Sequence, residues 1–413
     1  MGDEMMEIKI IPGGITAVTG FMAAGVHAGI KKSNKEKPDV AVIFSQAPAA
    51  VGGVFTQNRV KAAPVILSQK VTSAGRAQAV VINSGNANAC TGREGEESAQ
   101  LMADWTARGL RIQEDQVIVA STGVIGHQLP RDIVKSGIEK AVGALSAQGG
   151  HDAAVAIMTT DLFCKEISVQ VPLGGATVKF GGMCKGSGMI HPNMATLLAF
   201  ITTDALIEPA ALQQAMKNAV NKSFNMITVD GDTSTNDMAV VLANGAARNE
   251  KITVNSPLFH DFQEVLDYVC IALAKMLAKD GEGATKLIEV HVKNALNEDD
   301  ARTVAKAVVS SSLVKSAFFG EDANWGRILC AAGYSGAAIN PETVDIWLES
   351  KAGREKMADQ GTGQVFDEAN AKKILQEKEV RVVIDLHQGS AEATAWGCDL
   401  TYDYVKINAD YRT

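Results

Sequence analysis

Residues 181–196 read Gly-Gly-Met-Cys-Lys-Gly-Ser-Gly-Met-Ile-His-Pro-Asn-Met-Ala-Thr, and residues 197–201 continue as Leu-Leu-Ala-Phe-Ile. Glycines at 181, 182, 186 and 188 let a backbone approach a ligand closely, and Lys185 sits among them. The apolar run from Leu197 to Ile201 then reads as a buried strand. Thr196 therefore stands where a polar loop enters the core, preceded by the small residue Ala195. The residues alone leave two readings. One is a glycine-rich turn with Thr196 as an ordinary strand-entry residue, which composition by itself favours. The other is scission of Ala195–Thr196, which would place a free α-amine beside the threonine hydroxyl and supply the base that a weak nucleophile needs.

Outward from this stretch, short β runs alternate with amphipathic windows. Val40 to Phe44 and Ala79 to Asn83 read as continuous buried strands. Ser98, Leu101, Met102 and Trp105 fall at helical spacing, as do Val134, Ile138, Ala141, Val142 and Leu145 beyond Pro130. Val117 to Val119 runs straight into Ala120-Ser121-Thr122-Gly123, and Ile167, Val169 and Val171 alternate with polar residues as in an antiparallel strand with one wetter face. Pro209 starts a helix with an apolar face at Leu212, Ala215, Met216, Ala219 and Val220, and a longer helix is expected over 258–277. From Leu287 the pattern changes: Ile288, Val290 and Val292 alternate, a helix follows near 301–309, and strands recur near 344–348 and 380–386. This places a boundary close to Lys286, with the charged segment 349–379 read as helix and solvated connection.

The chain has 413 residues, 39 Lys plus Arg against 47 Asp plus Glu, and a formal charge of −8. At about 100–200 residues per domain, that length holds two or three independent cores. An acidic balance without a basic stripe excludes an electrostatic footprint for nucleic acid. No run of 18 or more apolar residues is present, so a membrane span is not expected. The six cysteines include no Cys-x-x-Cys pair and no neighbouring His at metal-ligand spacing, which argues against structural zinc. With an acidic N-terminus and no secretory core, they read as cytosolic thiols, and a cytoplasmic protein is expected.

Several polar clusters end strands. Ser121-Thr122-Gly123 has the residues to direct a hydroxyl and backbone amides at a developing oxyanion, or simply to turn. Asn83 to Cys90 combines amide side chains with small spacers, as in a site lining or in consecutive Asx turns. Met158-Thr159-Thr160-Asp161 offers two hydroxyls and a carboxylate for the polar end of an amino acid, or a cap. Three nucleotide and metal patterns fail. Gly281 to Lys286 lacks the Gly-Lys-Ser/Thr ending of a phosphate loop. Gly186-x-Gly188 carries His191 at the last glycine of a dinucleotide fingerprint. Asp230-x-Asp232-x-Ser234 lacks the glycine of a calcium loop. No metal or cofactor is indicated.

The segment 185–196, Lys-Gly-Ser-Gly-Met-Ile-His-Pro-Asn-Met-Ala-Thr, resembles the self-cleavage and nucleophile motif of the ornithine acetyltransferase family, the bifunctional glutamate N-acetyltransferases of arginine biosynthesis. The resemblance extends in order through Phe55–Pro64, Asn83–Gly92, Ser121–Gly123, Met158–Asp161, Asp230–Asp237, Asp280–Lys286, Gly320–Arg327 and the tail from Tyr404 to Thr413. So many ordered matches reverse the preference for a bland turn at Thr196.

The resemblance implies an α/β (α+β) fold, an αββα sandwich over 1–286 followed by a smaller α/β domain over 287–413 whose tail returns to the site. It implies cleavage between Ala195 and Thr196, with Thr196 as nucleophile. Thr122 and Gly123 match the family's oxyanion-hole positions. Thr159, Lys185, Thr196, Glu282, Asn408 and Thr413 match its substrate-binding positions. The implied reaction is ping-pong transfer of acetyl from N-acetylornithine to glutamate, with an α2β2 heterotetramer as the assembly. Acetyl-CoA as a further acetyl donor stays open. A related autoprocessing aminopeptidase or amidase, and an uncleaved amino-acid-binding protein, are the alternatives.

Overall fold

A computed structural model describes residues 7–31, 36–191 and 197–410. Its larger sheet has nine strands in the order Lys9–Ile10, Lys165–Leu173, Ala176–Lys185, Leu198–Thr203, Met238–Ala243, Val40–Phe55, Arg76–Asn86 and Val117–Val124, with Phe21–Val26 also paired to Val40–Phe55. The long strand Val40–Phe55 serves both halves of the sheet. Its first part pairs with Phe21–Val26, its last part pairs with Met238–Ala243, and its register against Arg76–Asn86 shifts between Phe44 and Ala49. Such an irregularity bends a strand and increases its twist.

Period-two alternation sorts the strand residues into layers. Val40, Val42, Ala79, Val81, Val117 and Val119 face the helices Gly92–Leu110 and Arg131–Gly143 through Met102, Ala103, Val134, Ile138 and Ala141. Their neighbours Ala41, Ile43, Val80, Ile82, Ile118 and Ala120 face the opposite way and share a core with Leu198, Phe200, Met238, Val240 and Leu242. In turn Ala199, Ile201, Ala239 and Val241 face the helices Pro209–Lys222 and Leu258–Lys279. The order helix, strand, strand, helix is the αββα sandwich expected. Pro209 occupies the first turn of its helix, where a missing amide costs nothing, and Leu212, Ala215, Met216, Ala219 and Val220 are all buried. Phe262 of the longer helix is fully buried with its ring centroid 5.2 Å from that of Phe180, and burying such a side chain contributes about 1.5–3 kcal/mol.

The second sheet runs Thr362–Gly363, Gly353–Asp359, Asp345–Ser350, Glu379–Asp385, Leu287–Ala295, Ala391–Cys398 and Ile227–Thr228. Its first long strand begins at Leu287, but Ile227–Thr228 joins from earlier in the chain, parallel to Ala391–Cys398. One core continues from Val269 and Leu273 into Ile288, Val290, Val304 and Val308.

Segment 349–379 departs from its reading as helix and connection. It carries the antiparallel strand Gly353–Asp359, the short strand Thr362–Gly363 and a helix only at Glu368–Leu375. Arg354 and Lys356 lie over the Trp347 ring at 5.1 and 5.0 Å. Charged side chains here cover an aromatic surface of a solvent-facing hairpin, so their charge masks a strand period. Among the described residues, no helix is long and apolar enough to cross a membrane.

Candidate active site

One cleft is lined by Thr122, Gly123, Thr159, Lys185, Glu282 and Asn408, together with Ile190 and Leu197. These six polar and glycine positions come from five separated segments, and the structure brings all of them together. Residues 192–196 and 411–413 lie outside the described residues, so Ala195, Thr196 and Thr413 are not placed. Leu197, covalently next to Thr196, does line the cleft.

The glycine-rich segment is shaped by its neighbours. The carboxylate of Asp230 accepts hydrogen bonds from the Met189 and Ile190 amides at 2.7 and 2.9 Å. The failed calcium pattern at 230–234 thus places an anchor for this loop. A Cβ on Gly188 would lie 2.3 Å from Glu282 Oε2, so any larger residue here would push the Glu282 carboxylate aside. Gly123 has φ +133°, and a Cβ there would lie 2.4 Å from the Gly85 carbonyl carbon. It sits in Val117–Val124, whose parallel pairing sets Thr122 opposite Ser84 and Gly123 opposite Gly85.

Lys185 ends the strand Ala176–Lys185, and its Nζ lies 3.3 Å from Thr122 Oγ1. Burial pushes its amine below the usual lysine range, against the nearby Asp161 carboxylate. Asp161 is itself a hub. Its Oδ1 accepts from Lys165 Nζ at 2.6 Å and from the Gly186 amide at 2.9 Å, and its Oδ2 accepts from the Thr159 amide at 2.9 Å. Asp280 Oδ2 takes Lys165 Nζ at 2.5 Å and the Leu162 amide at 3.0 Å, while its carbonyl accepts from Ser187 Oγ at 2.8 Å. One buried carboxylate–ammonium–carboxylate group therefore ties together the loops that carry Thr159, Lys185 and Glu282. Burial works to raise the Asp161 pKa, but Lys185 and Lys165 outweigh it and hold the carboxyl well below the usual range. Burial pushes Asp280 upward against the same lysine.

The C-terminal segment reaches the cleft through a second clamp. Asn408, in the helix Tyr402–Asp410, donates to Glu282 Oε2 at 2.9 Å. Gly283 has φ +69° and a Cβ position 2.5 Å from the Tyr404 amide nitrogen, and Thr401 Oγ1 donates to its carbonyl at 2.7 Å.

The sequence reading assigned no role to Ser234, Thr235, Asn236 and Asp237, which also line the cleft. Parallel pairing of Met238–Ala243 with Leu198–Thr203, including the Met238 amide on the Leu197 carbonyl at 2.9 Å, brings them there. Asn236 Nδ2 bridges the carbonyls of Ala87 and Ser121 at 2.5 and 2.8 Å. Asp237 is buried, with Oδ2 lacking a hydrogen-bond partner among the described residues, and burial pushes its pKa well up. Their sequence signals were membership of the ordered segment 230–237 and, for Ser234, the incomplete calcium pattern. The Asn83–Cys90 cluster does both things foreseen for it: Asn86 Oδ1 accepts from the Asn88 amide at 2.8 Å, an Asx turn, and Ala87 lines the cleft. Among the described residues, the one metal-ligating group of three, His151, Cys164 and Glu166, is not part of the cleft lining.

The cleft thus gathers hydroxyls, a buried amine, a carboxylate and Gly123, held at positive φ, from separated segments of the chain. Residues 22–413 match the model of the ArgJ family. The arginine biosynthesis bifunctional protein ArgJ of Symbiobacterium thermophilum is 57% identical over 403 residues, 98% of this chain and 99% of that protein. The protein of the same name from Caldanaerobacter subterraneus subsp. tengcongensis is 55% identical over 406 residues, covering 98% and 100%. The crystal structure of arginine biosynthesis bifunctional protein ArgJ from Bacillus halodurans is 50% identical with a TM-score of 0.49, covering 51% of this chain and 98% of that one. The chain belongs to the ArgJ family. It is an acyltransferase of amino-acid biosynthesis.

Proposed function

We propose that the protein transfers an acetyl group from N-acetylornithine to glutamate through an acetyl-Thr196 intermediate, after cleaving itself between Ala195 and Thr196. The observation that carries this reading is the convergence of Thr122, Gly123, Thr159, Lys185, Glu282 and Asn408 on a cleft whose wall includes Leu197, the residue bonded to Thr196.

Scission frees the α-amine of Thr196, which takes the proton from its own hydroxyl as Oγ attacks the acetyl carbonyl carbon. Thr122 and Gly123 stabilise the tetrahedral oxyanion. The amide C–N bond breaks, the proton passes to the departing amine, and ornithine leaves an acetyl ester on Thr196. The amine of glutamate then attacks that ester, gives up its proton and releases the threonine hydroxyl. Lys185 and the hydroxyl of Thr159 suit an α-carboxylate, and Glu282, held by Asn408, suits an ammonium. Thr413 belongs to the same binding set in this reading. Protein groups carry every step, without metal or cofactor. The cleaved chains pair as an α2β2 heterotetramer, and the name "bifunctional" borne by the relatives supports acetyl-CoA as a second donor.

Denaturing intact mass with N-terminal sequencing tests the first step. Two fragments, the second beginning at Thr196, are expected from the wild type, and one uncleaved, inactive chain from Thr196→Ala. A cleaved and active Thr196→Ala protein refutes the reading. So does the absence of N-acetylglutamate when processed protein is given N-acetylornithine and glutamate. Acetyl-CoA in place of N-acetylornithine tests the second donor.

A further inference from the structure

Cys164 directly precedes the strand Lys165–Leu173, and Glu166 follows two positions later. A strand alternates its side chains, so these two share one face while Lys165 takes the other. Lys165 enters the buried pair with Asp161 and Asp280 beneath the cleft. On the opposite face stands His151, in the first turn of the helix Gly150–Ala156. His151 Nδ1 lies 3.2 Å from Glu166 Oε1. One His151 ring nitrogen, Cys164 Sγ and one Glu166 carboxylate oxygen all lie within 4.8 Å of one another. Glu166 Oε2 is buried and has no hydrogen-bond partner among the described residues.

We propose that His151, Cys164 and Glu166 form a binding site for one zinc-like divalent transition-metal ion, held by imidazole nitrogen, thiolate and carboxylate with water in the fourth position. The donor set decides the class of ion. A thiolate with an imidazole favours a borderline-soft ion such as Zn²⁺ over Mg²⁺ or Ca²⁺, which take oxygen ligands. Tetrahedral zinc with such ligands sets donor atoms about 3.3–3.8 Å apart. His151 and Glu166 already stand 3.2 Å apart, so closing from within 4.8 Å asks about 1 Å of side-chain movement, shared between the half-buried Cys164 and His151, whose side chain is 64% exposed. That exposure also leaves water access to the fourth position.

Without an ion, burial and the adjacent Glu166 carboxylate push the Cys164 thiol up to about 11. A bound dication reverses that preference, so binding converts the thiol to thiolate and releases one proton to solvent, with no change of oxidation state. The ion would link the helix Gly150–Ala156 to the head of the strand Lys165–Leu173, across the segment 157–163 that carries Thr159 and Asp161. The site does not depend on the acetyl-transfer reading.

Titration of the full-length protein with Co²⁺, as a spectroscopic stand-in for zinc, tests it. One equivalent should bind with thiolate-to-cobalt charge-transfer and tetrahedral d–d absorption, and Zn²⁺ should displace it. Cys164→Ser should lose the charge-transfer band, while His151→Ala and Glu166→Gln should weaken binding. The exposed thiols Cys90 and Cys330 serve as controls, and their serine variants should bind as the wild type does. Zn²⁺ should raise the Tm of the wild type and leave that of Cys164→Ser unchanged. Absence of the band in folded wild-type protein, or its survival in Cys164→Ser, overturns the proposal. Should Cys164→Ser fail to fold, His151→Ala at an exposed position decides: undiminished cobalt affinity there overturns it too.

Discussion

Asp161 Oδ1 and Gly186 N are joined by a 2.9 Å hydrogen bond. The contact spans the loop that carries Thr159 and the loop that follows Lys185. The same carboxylate also accepts the Thr159 amide and the Lys165 ammonium. Its removal should disturb two walls of the cleft at once and leave Lys165, which is fully buried, with Asp280 as its remaining carboxylate.

Asp161→Asn should therefore lower stability by about 3–5 kcal/mol, the scale for breaking a buried ion pair, measured by denaturant unfolding. The pH dependence follows from the sign of the shift. The folded-state pKa of Asp161 is depressed, so its stabilisation is complete above the unfolded carboxylate value near 4 and is lost as pH falls toward the folded value. Tm measured from pH 7 down to pH 3 should fall less steeply in Asp161→Asn than in the wild type. Identical acid limbs would show that Asp161 does not carry this linkage.

Lys185→Ala should raise KM for N-acetylornithine and glutamate by about 10- to 100-fold, the value of a lost charge-assisted hydrogen bond of about 1.5–3 kcal/mol. Self-cleavage should persist. Steady-state kinetics alongside intact mass separate the two effects, and a complete block of processing would assign Lys185 to maturation instead.

Gly123→Ala should cost about 2–4 kcal/mol, combining positive-φ strain with overpacking. The new methyl would enter the Gly85 carbonyl region and displace the strand end that carries Thr122. Loss of kcat together with a lower unfolding midpoint is expected. Unchanged values for both would mean that the strand end relaxes freely.

Asn408→Ala removes one hydrogen bond from Glu282. A rise in KM of about 5- to 10-fold is expected, equivalent to about 1–1.4 kcal/mol, with kcat and stability nearly unchanged because the helix Tyr402–Asp410 buries none of its residues. A large fall in kcat at unaltered KM would instead place Asn408 in the chemical step.

Much of the scaffold was readable because its signals are local. The valines and isoleucines of 40–44, 79–83 and 117–119 announced strands, and the spacing from Leu212 to Val220 announced a helix. Segment 349–379 was misread because Arg354 and Lys356 cover Trp347 from the solvent side, so charge replaced the apolar beat of a strand. Thr122, Gly123, Thr159, Lys185, Glu282 and Asn408 were singled out through ordered motifs, and the structure sets them on one cleft. Ser234 to Asp237 received no role because only strand register sets them beside Leu197.

The sequence by itself determined the alternation of strands and helices, the glycine-rich stretch that borders the cleft and the family to which the chain belongs, since each depends on side-chain type and near-neighbour spacing. Tertiary structure alone decided that Asp161, Lys165 and Asp280 would meet beneath three loops, that Asn408 would hold Glu282, and that His151 would face Cys164 and Glu166. The reason is physical: these convergences come from sheet register and helix packing between distant segments, and no local preference of the chain encodes which segments will pair.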